Sequence, residues 1–174
     1  MRGLCILFCI PLLTGCGAAA PPRFGIYLTE HPSFIRVQLE PEVTYHDARI
    51  DLADVTLMDP PLVSDDDMIE YDWSQHRVTL RRGVGRRFPH PDSFGTPFVV
   101  VANGHRCYLG GIWTPVSSVG TLLPIIEVTD VQDDCFEIKL GYPGSVADAV
   151  KQDPRDDSRV CEALGGLGEL KHPQ

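Results

Sequence analysis

Residues 97–113 read PFVVVANGHRCYLGGIW. Two apolar runs flank Asn103-Gly104. Both residues tolerate positive φ, which a type I′ turn requires at both central positions. The pattern therefore predicts a tight β-hairpin. Val99, Val100 and Val101 are unbroken and β-branched, which predicts a strand buried on both faces and central in its sheet.

Further strands follow on either side. RFGIYLTE (23–30) and SFIRVQLE (33–40) read as two short strands, and IDLADVTLMD (50–59) as a third. In SDDDMIEYDW (64–73), Ser64 can cap a helix. Asp65, Asp66 and Asp67 would lie in its first turn, where carboxylates favour the positive end of the dipole. This predicts a short helix ending near Trp73. HRVTLRR (76–82) alternates like a strand. LPIIEVTD (123–130) and CFEIKLGY (135–142) read as a strand pair around VQDD. SVADAVKQ (145–152) reads as helical turns capped by Ser145. In DPRDDSRVCEALGGLGEL (153–170), Asp153 caps a helix with Pro154 at its first position. Val160, Ala163 and Leu164 share one face, and Gly165-Gly166 stops it. The class expected is α+β: a mainly antiparallel sheet with a central Asn-Gly hairpin and a few short helices, including a C-terminal one.

The chain has 174 residues with 15 Lys and Arg against 24 Asp and Glu, a net charge of -9. A chain of this length buries about two-thirds of its unfolded surface and supports a core without staples. A surface this acidic argues against nucleic acid as a partner, because binding a polyanion needs basic residues to displace its counterions.

The amino terminus carries Arg2, then the apolar run GLCILFCIPLLTG (3–15), then Cys16 and GAAAPP. The run suits a signal segment and is too short to span a bilayer. LLTGC (12–16) resembles the lipobox of bacterial lipoproteins. That resemblance implies cleavage before Cys16 and acylation of its thiol and new amino group. It divides the chain into a signal peptide (1–15), a lipidated cysteine with a flexible tether (16–22) and a single α+β domain (23–174). It places the protein at a bacterial cell membrane or outer membrane, on the extracytoplasmic face. Cys5 and Cys9 would leave with the signal peptide. Cys107, Cys135 and Cys161 then remain, an odd number, so at most one disulfide forms among them.

Chemistry-bearing motifs are sparse. No GxSxG elbow is found. Ser117 beside a strand, or Cys107 with His105 two residues away on one strand face, are the candidates for an envelope hydrolase. No spacing matches an EF-hand loop or an HExxH helix, so no metal site is expected. GVGRRF (83–88) looks briefly like a phosphate loop but lacks the third glycine and the lysine, and no cofactor is indicated. What remains is RRGVGRR, with Arg81, Arg82, Arg86 and Arg87 inside seven residues. In an acidic protein this is a local positive patch, suited to anionic lipid, an anionic polymer or an acidic envelope protein. Tyr108 and Trp113 beside glycines suit either apolar anchors at a binding surface or core residues, and the core is favoured.

Two larger blocks, PPLVSDDDMIEYDWSQHRVTL and GTPFVVVANGHRCYLGGIWTPVSS, resemble a group of uncharacterised bacterial lipoproteins. So does the tail LGYPGSVADAVKQDPRDDSRVCEALGGLGEL. The strand-turn-strand layout is faintly similar to the periplasmic head subdomain of the export proteins SecD and SecF. Neither resemblance implies a catalytic residue here. The reading that follows is a non-enzymatic binding module, tethered through Cys16, with the four arginines as electrostatic contact. The alternatives are the hydrolase and a structural or accessory envelope protein related to export head subdomains.

Overall fold

A computed structural model of the chain describes residues 20–30, 52–118, 120–131, 133–144 and 152–171. The hairpin forms as expected. β5 (Thr96–Ala102) and β6 (His105–Trp113) pair antiparallel around Asn103 and Gly104, whose φ angles are 48° and 78°. β1 (Phe24–Leu28) pairs antiparallel on the other side of β5, with Phe24 opposite Ala102 and Leu28 opposite Phe98. β5 is thus an interior strand, buried on both faces. Phe98, Val100 and Ala102 point into a larger core, Val99 and Val101 into a smaller one.

Two sheets complete the architecture. β2 (Val63–Ser64), β7 (Thr121–Glu127) and β9 (Lys139–Tyr142) extend the first to six strands, in the order β2-β1-β5-β6-β7-β9. β3 (Met68–Asp72), β4 (Arg77–Leu80), β8 (Cys135–Glu137) and β10 (Leu170–Lys171) form the second, in the order β10-β3-β4-β8. The β6–β7 and β3–β10 pairings are parallel, so both sheets are mixed rather than purely antiparallel. Helix α1 (Ser158–Leu167) is the one α-helix among the described residues. Its Val160, Ala163 and Leu164 join Met68, Tyr71, Val78 and Phe136 of the second sheet in the larger core. Strands dominate a mixed α and β fold.

Several sequence expectations change. The segment after Ser64 is a single 3-10 turn, Asp65–Asp67, and then strand β3 rather than a helix to Trp73. Ser64 and Asp67 do form the reciprocal cap, but Met68 and Tyr71 are buried while Ile69 between them is exposed. Packing against β4 therefore overrides the helical start signal. Residues 52–59 hold a 3-10 turn, Leu52–Asp54, and one isolated bridge from Leu57 to Thr29, not a strand. The Arg106 guanidinium bonds the Leu52 and Ala53 carbonyls and fixes that turn on the hairpin. CFEIKLGY breaks at the buried Ile138, whose N–H bonds the His76 carbonyl, so its two halves belong to different sheets. Asp153 caps a separate 3-10 turn, Asp157 caps α1, and the helix runs through Gly165-Gly166 to end at Gly168, φ 76°. The expected strand at 33–40, the turns at 145–151 and Cys16 with its signal segment lie outside the described residues.

Candidate functional site

The arginine loop is built around a carboxylate. After β4 the chain turns at Gly83, φ 88°, into a 3-10 turn at Val84–Arg87. The Gly83 and Gly85 N–H groups donate to the two carboxylate oxygens of Asp134 at 2.6 and 2.8 Å. Successive backbone amides in such a turn make an anion-binding nest. The glycine pattern that resembles a phosphate loop thus holds the protein's own side chain. Those two amides, followed by the charges of Arg86 and Arg82, keep the Asp134 carboxyl below the ordinary carboxylate range.

Two of the four arginines are tied inward. Arg81 Nε donates to the Asp66 carbonyl at 2.7 Å, and Arg87 pairs with Asp67. Asp67 also accepts from the Ser64 N–H and hydroxyl, each at 3.0 Å. Burial raises the Asp67 carboxyl, and the bonds from Arg87 and Ser64 outweigh it, so it sits below its ordinary value. Arg82 and Arg86 are exposed and form no ion pair among the described residues. Nearby, the Arg23 N–H donates to Asp65 at 2.8 Å and its guanidinium to the Gly166 carbonyl at 3.2 Å.

Tyr108 and Trp113 are not surface anchors. Tyr108 is 3% exposed in the larger core and Trp113 fully buried in the smaller one. The Trp113 ring packs on Tyr142 with centroids 6.0 Å apart, and it lies so close to Gly95 that a Cβ there would meet it at 2.5 Å. The glycine is the close-approach partner of a core ring rather than part of a flexible binding edge. The sequence favours the core for both rings, and both are buried.

Of the hydrolase residues, Ser117 lies apart from His105, while the Cys107 thiol donates to the His105 carbonyl at 3.4 Å. His105 begins β6 at the hairpin tip. Ser117 lies past its other end, where its hydroxyl donates to the Ser93 carbonyl at 2.7 Å, and Ser93 precedes β5. A strand of nine residues, β6 keeps the two roughly 25 Å apart. A bulge between Val100 and Val101 leaves Cys107 as the extra residue of β6, packed with Tyr108 against the larger core. Burial pushes the Cys107 thiol up to about 11, which leaves little thiolate at neutral pH. Cys107, Cys135 and Cys161 are free thiols, each half-buried.

A second polar cluster escapes the sequence altogether. Tyr71 Oη and His76 Nδ1 lie 3.1 Å apart, His76 Nε2 is 3.8 Å from Asp156, and Arg155 bonds Asp153 and the Ile138 carbonyl. Burial, with the Arg155 charge, lowers the His76 imidazole from its ordinary value. Beside it lies a cavity of about 380 Å³ lined by Cys107, Gln152, Asp153, Pro154, Asp156 and Asp157. Two of its three acids are occupied: Asp153 holds Arg155, and Asp157 holds Arg159 and caps α1, while Asp156 is exposed beside His76. The cluster joins residues some 80 positions apart, and no local motif marks it. Among the described residues no group of three or more His, Cys, Asp or Glu is placed to hold a metal ion, and no helix is long and apolar enough to cross a membrane.

Comparison with protein-family models, with curated proteins and with solved structures finds no match for this chain.

Proposed function

We propose that this protein is an extracytoplasmic lipoprotein, held on a bacterial membrane through Cys16, whose folded domain is a binding module with Arg82 and Arg86 as its electrostatic contact. The observation that carries this is LLTGC directly after a short apolar run behind Arg2. Acyl chains at about 0.8 kcal/mol per buried methylene hold a folded domain on a bilayer without a spanning helix. The first strand supports a short tether: β1 begins at Phe24, and Arg23 is already bonded to Asp65 and Gly166. The contact narrows from six residues to two. Tyr108 and Trp113 are core residues, while Arg81 and Arg87 are bonded to Asp66 and Asp67.

Mass spectrometry of the native protein tests the anchor, and an acylated Cys16 at the amino terminus is the expected result. An intact Met1, or a Cys16→Ser variant that is cleaved and membrane-bound as before, would overturn it. Cross-linking from intact cells tests the module. Arg82→Ala with Arg86→Ala should lose the captured component, and His105→Ala should keep it.

A further inference from the structure

We infer that the arginine loop faces the anionic headgroups of the bilayer that holds Cys16, so that the domain stands on that membrane through residues 81–87; this rests on the lipoprotein reading above. The placement follows from three consecutive aspartates. Asp65 accepts the Arg23 N–H, the Asp66 carbonyl accepts Arg81 Nε, and Asp67 pairs with Arg87. One 3-10 turn thus joins the root of the tether to both ends of the arginine loop. Residues 17–22 separate Cys16 from Arg23, and the seven Cα steps between them reach at most about 25 Å when fully extended. The loop is therefore held at the end of the domain nearest the anchor.

The opposite end is differently made. Phe94 and Val116 are exposed there, at 46% and 81%, with their turns joined by the bond from Ser117 to Ser93. Phe24 pairs with Ala102 at the near end of β5, and Thr96 with Ile112 at the far end, roughly 20 Å along the strand. A tether rooted at Arg23 keeps the apolar turns away from the bilayer.

Charge selects the orientation. A net charge of -9 sets the domain as a whole against an anionic surface. A tethered body cannot leave, so it turns its cations toward that surface. Residues 81–88, RRGVGRRF, hold four arginines and no acid. Of the neighbouring acids, Asp67 pairs with Arg87, while Asp65 and Asp134 accept backbone amides and keep their charge, Asp133 is exposed beside Asp134, and Glu169 lies within electrostatic reach of Arg81. Asp66 stays exposed and opposes the contact. The acyl chains on Cys16 already hold the domain on the bilayer, so the basic patch sets its orientation rather than its attachment.

The test is amide hydrogen exchange on the native full-length protein, its Cys16 acylation verified by mass spectrometry. It is reconstituted in vesicles of phosphatidylcholine alone and of phosphatidylcholine with phosphatidylglycerol. Exchange across 81–88 should slow by about fivefold for each engaged arginine in the anionic vesicles only. Salt should remove the effect, Arg82→Gln with Arg86→Gln should abolish it, and the turns of Phe94 and Val116 should be unchanged. Equal exchange in both vesicles by an acylated, vesicle-bound protein would overturn the orientation and leave the anchor standing. Protection in whole envelopes but not in anionic vesicles would overturn it in favour of a protein or polymer contact. A native protein without acyl groups on Cys16 would overturn both readings.

Discussion

At Asn103-Gly104 the chain reverses between two strands that run on from it and pair with each other. At Gly83 it reverses around the carboxylate of Asp134, a residue 51 positions away. Both turns use a glycine at positive φ, 78° and 88°, with open space around each. The hairpin carries its own support: β5 and β6 place apolar residues in both cores, and the turn only has to avoid strain. The arginine loop places Val84 and Phe88 in the core and is held by bonds to distant groups: the Gly83 and Gly85 amides to Asp134, Arg81 to the Asp66 carbonyl and Arg87 to Asp67. The first turn founds the fold, and the second displays charge on it.

Trp113→Ala should have the largest effect. The ring is fully buried at the end of β6. Its removal should cost about 3–5 kcal/mol in urea unfolding, as for large aromatic truncations. Gly110→Ala comes next, because the added Cβ would meet the Phe98 ring at 2.3 Å and the Pro124 carbonyl at 2.7 Å. Overpacking at such a site costs about 1–3 kcal/mol. Either variant unfolding at the same urea concentration as the parent would mean that the hairpin does not found the fold.

Gly104→Ala and Gly83→Ala sharpen the contrast. Each puts a Cβ at positive φ with no steric neighbour, so each should cost about 1 kcal/mol of backbone strain. Stability should fall alike in the two. Amide exchange at residues 83 and 85 should accelerate only in Gly83→Ala, because the loop opens without unfolding the sheets.

The same contrast governs what the sequence discloses. β1, β4, the hairpin and the apolar face of α1 are legible because periodicity and turn chemistry are local. Ser64 and its three acids mark a helix start correctly and then mislead, since nothing local says that Met68 and Tyr71 must both reach the core from a strand. CFEIKLGY reads as one strand because its break at Ile138 depends on a bond to His76. At the site, the four arginines are visible in sequence. All four are exposed, and the division between Arg81 and Arg87, which are bonded to Asp66 and Asp67, and Arg82 and Arg86, which form no ion pair among the described residues, depends on acids arriving from elsewhere.

Acid should separate the turns without a mutation. The Asp134 carboxyl is held below its ordinary value first by the Gly83 amide and then by that of Gly85. Its contribution is present above the unfolded carboxylate pKa and is lost as pH falls through the lower folded value. Amide exchange at 83 and 85, corrected for intrinsic rates, should therefore lose protection at the acid end of the range. Protection in β5 and β6 beside Asn103-Gly104 should persist. Asp134→Asn should show the same loop opening at neutral pH, and a loop still closed in that variant would mean that the nest does not hold it.

Arg82→Gln with Arg86→Gln should have the smallest effect on stability. Both side chains are exposed, and surface substitutions of this kind stay within about 0.5 kcal/mol. The double variant is still not silent. The two charges help to lower the Asp134 carboxyl, so their loss should move its titration upward toward the ordinary value while the two amide bonds keep it depressed. Carboxylate NMR reads that shift directly. A large stability loss instead would make the two arginines structural, like Arg87 with Asp67, and would remove the reason to read them as a contact. A small upward shift with an unchanged urea midpoint is what charges displayed by the loop, and not needed to hold it, must give.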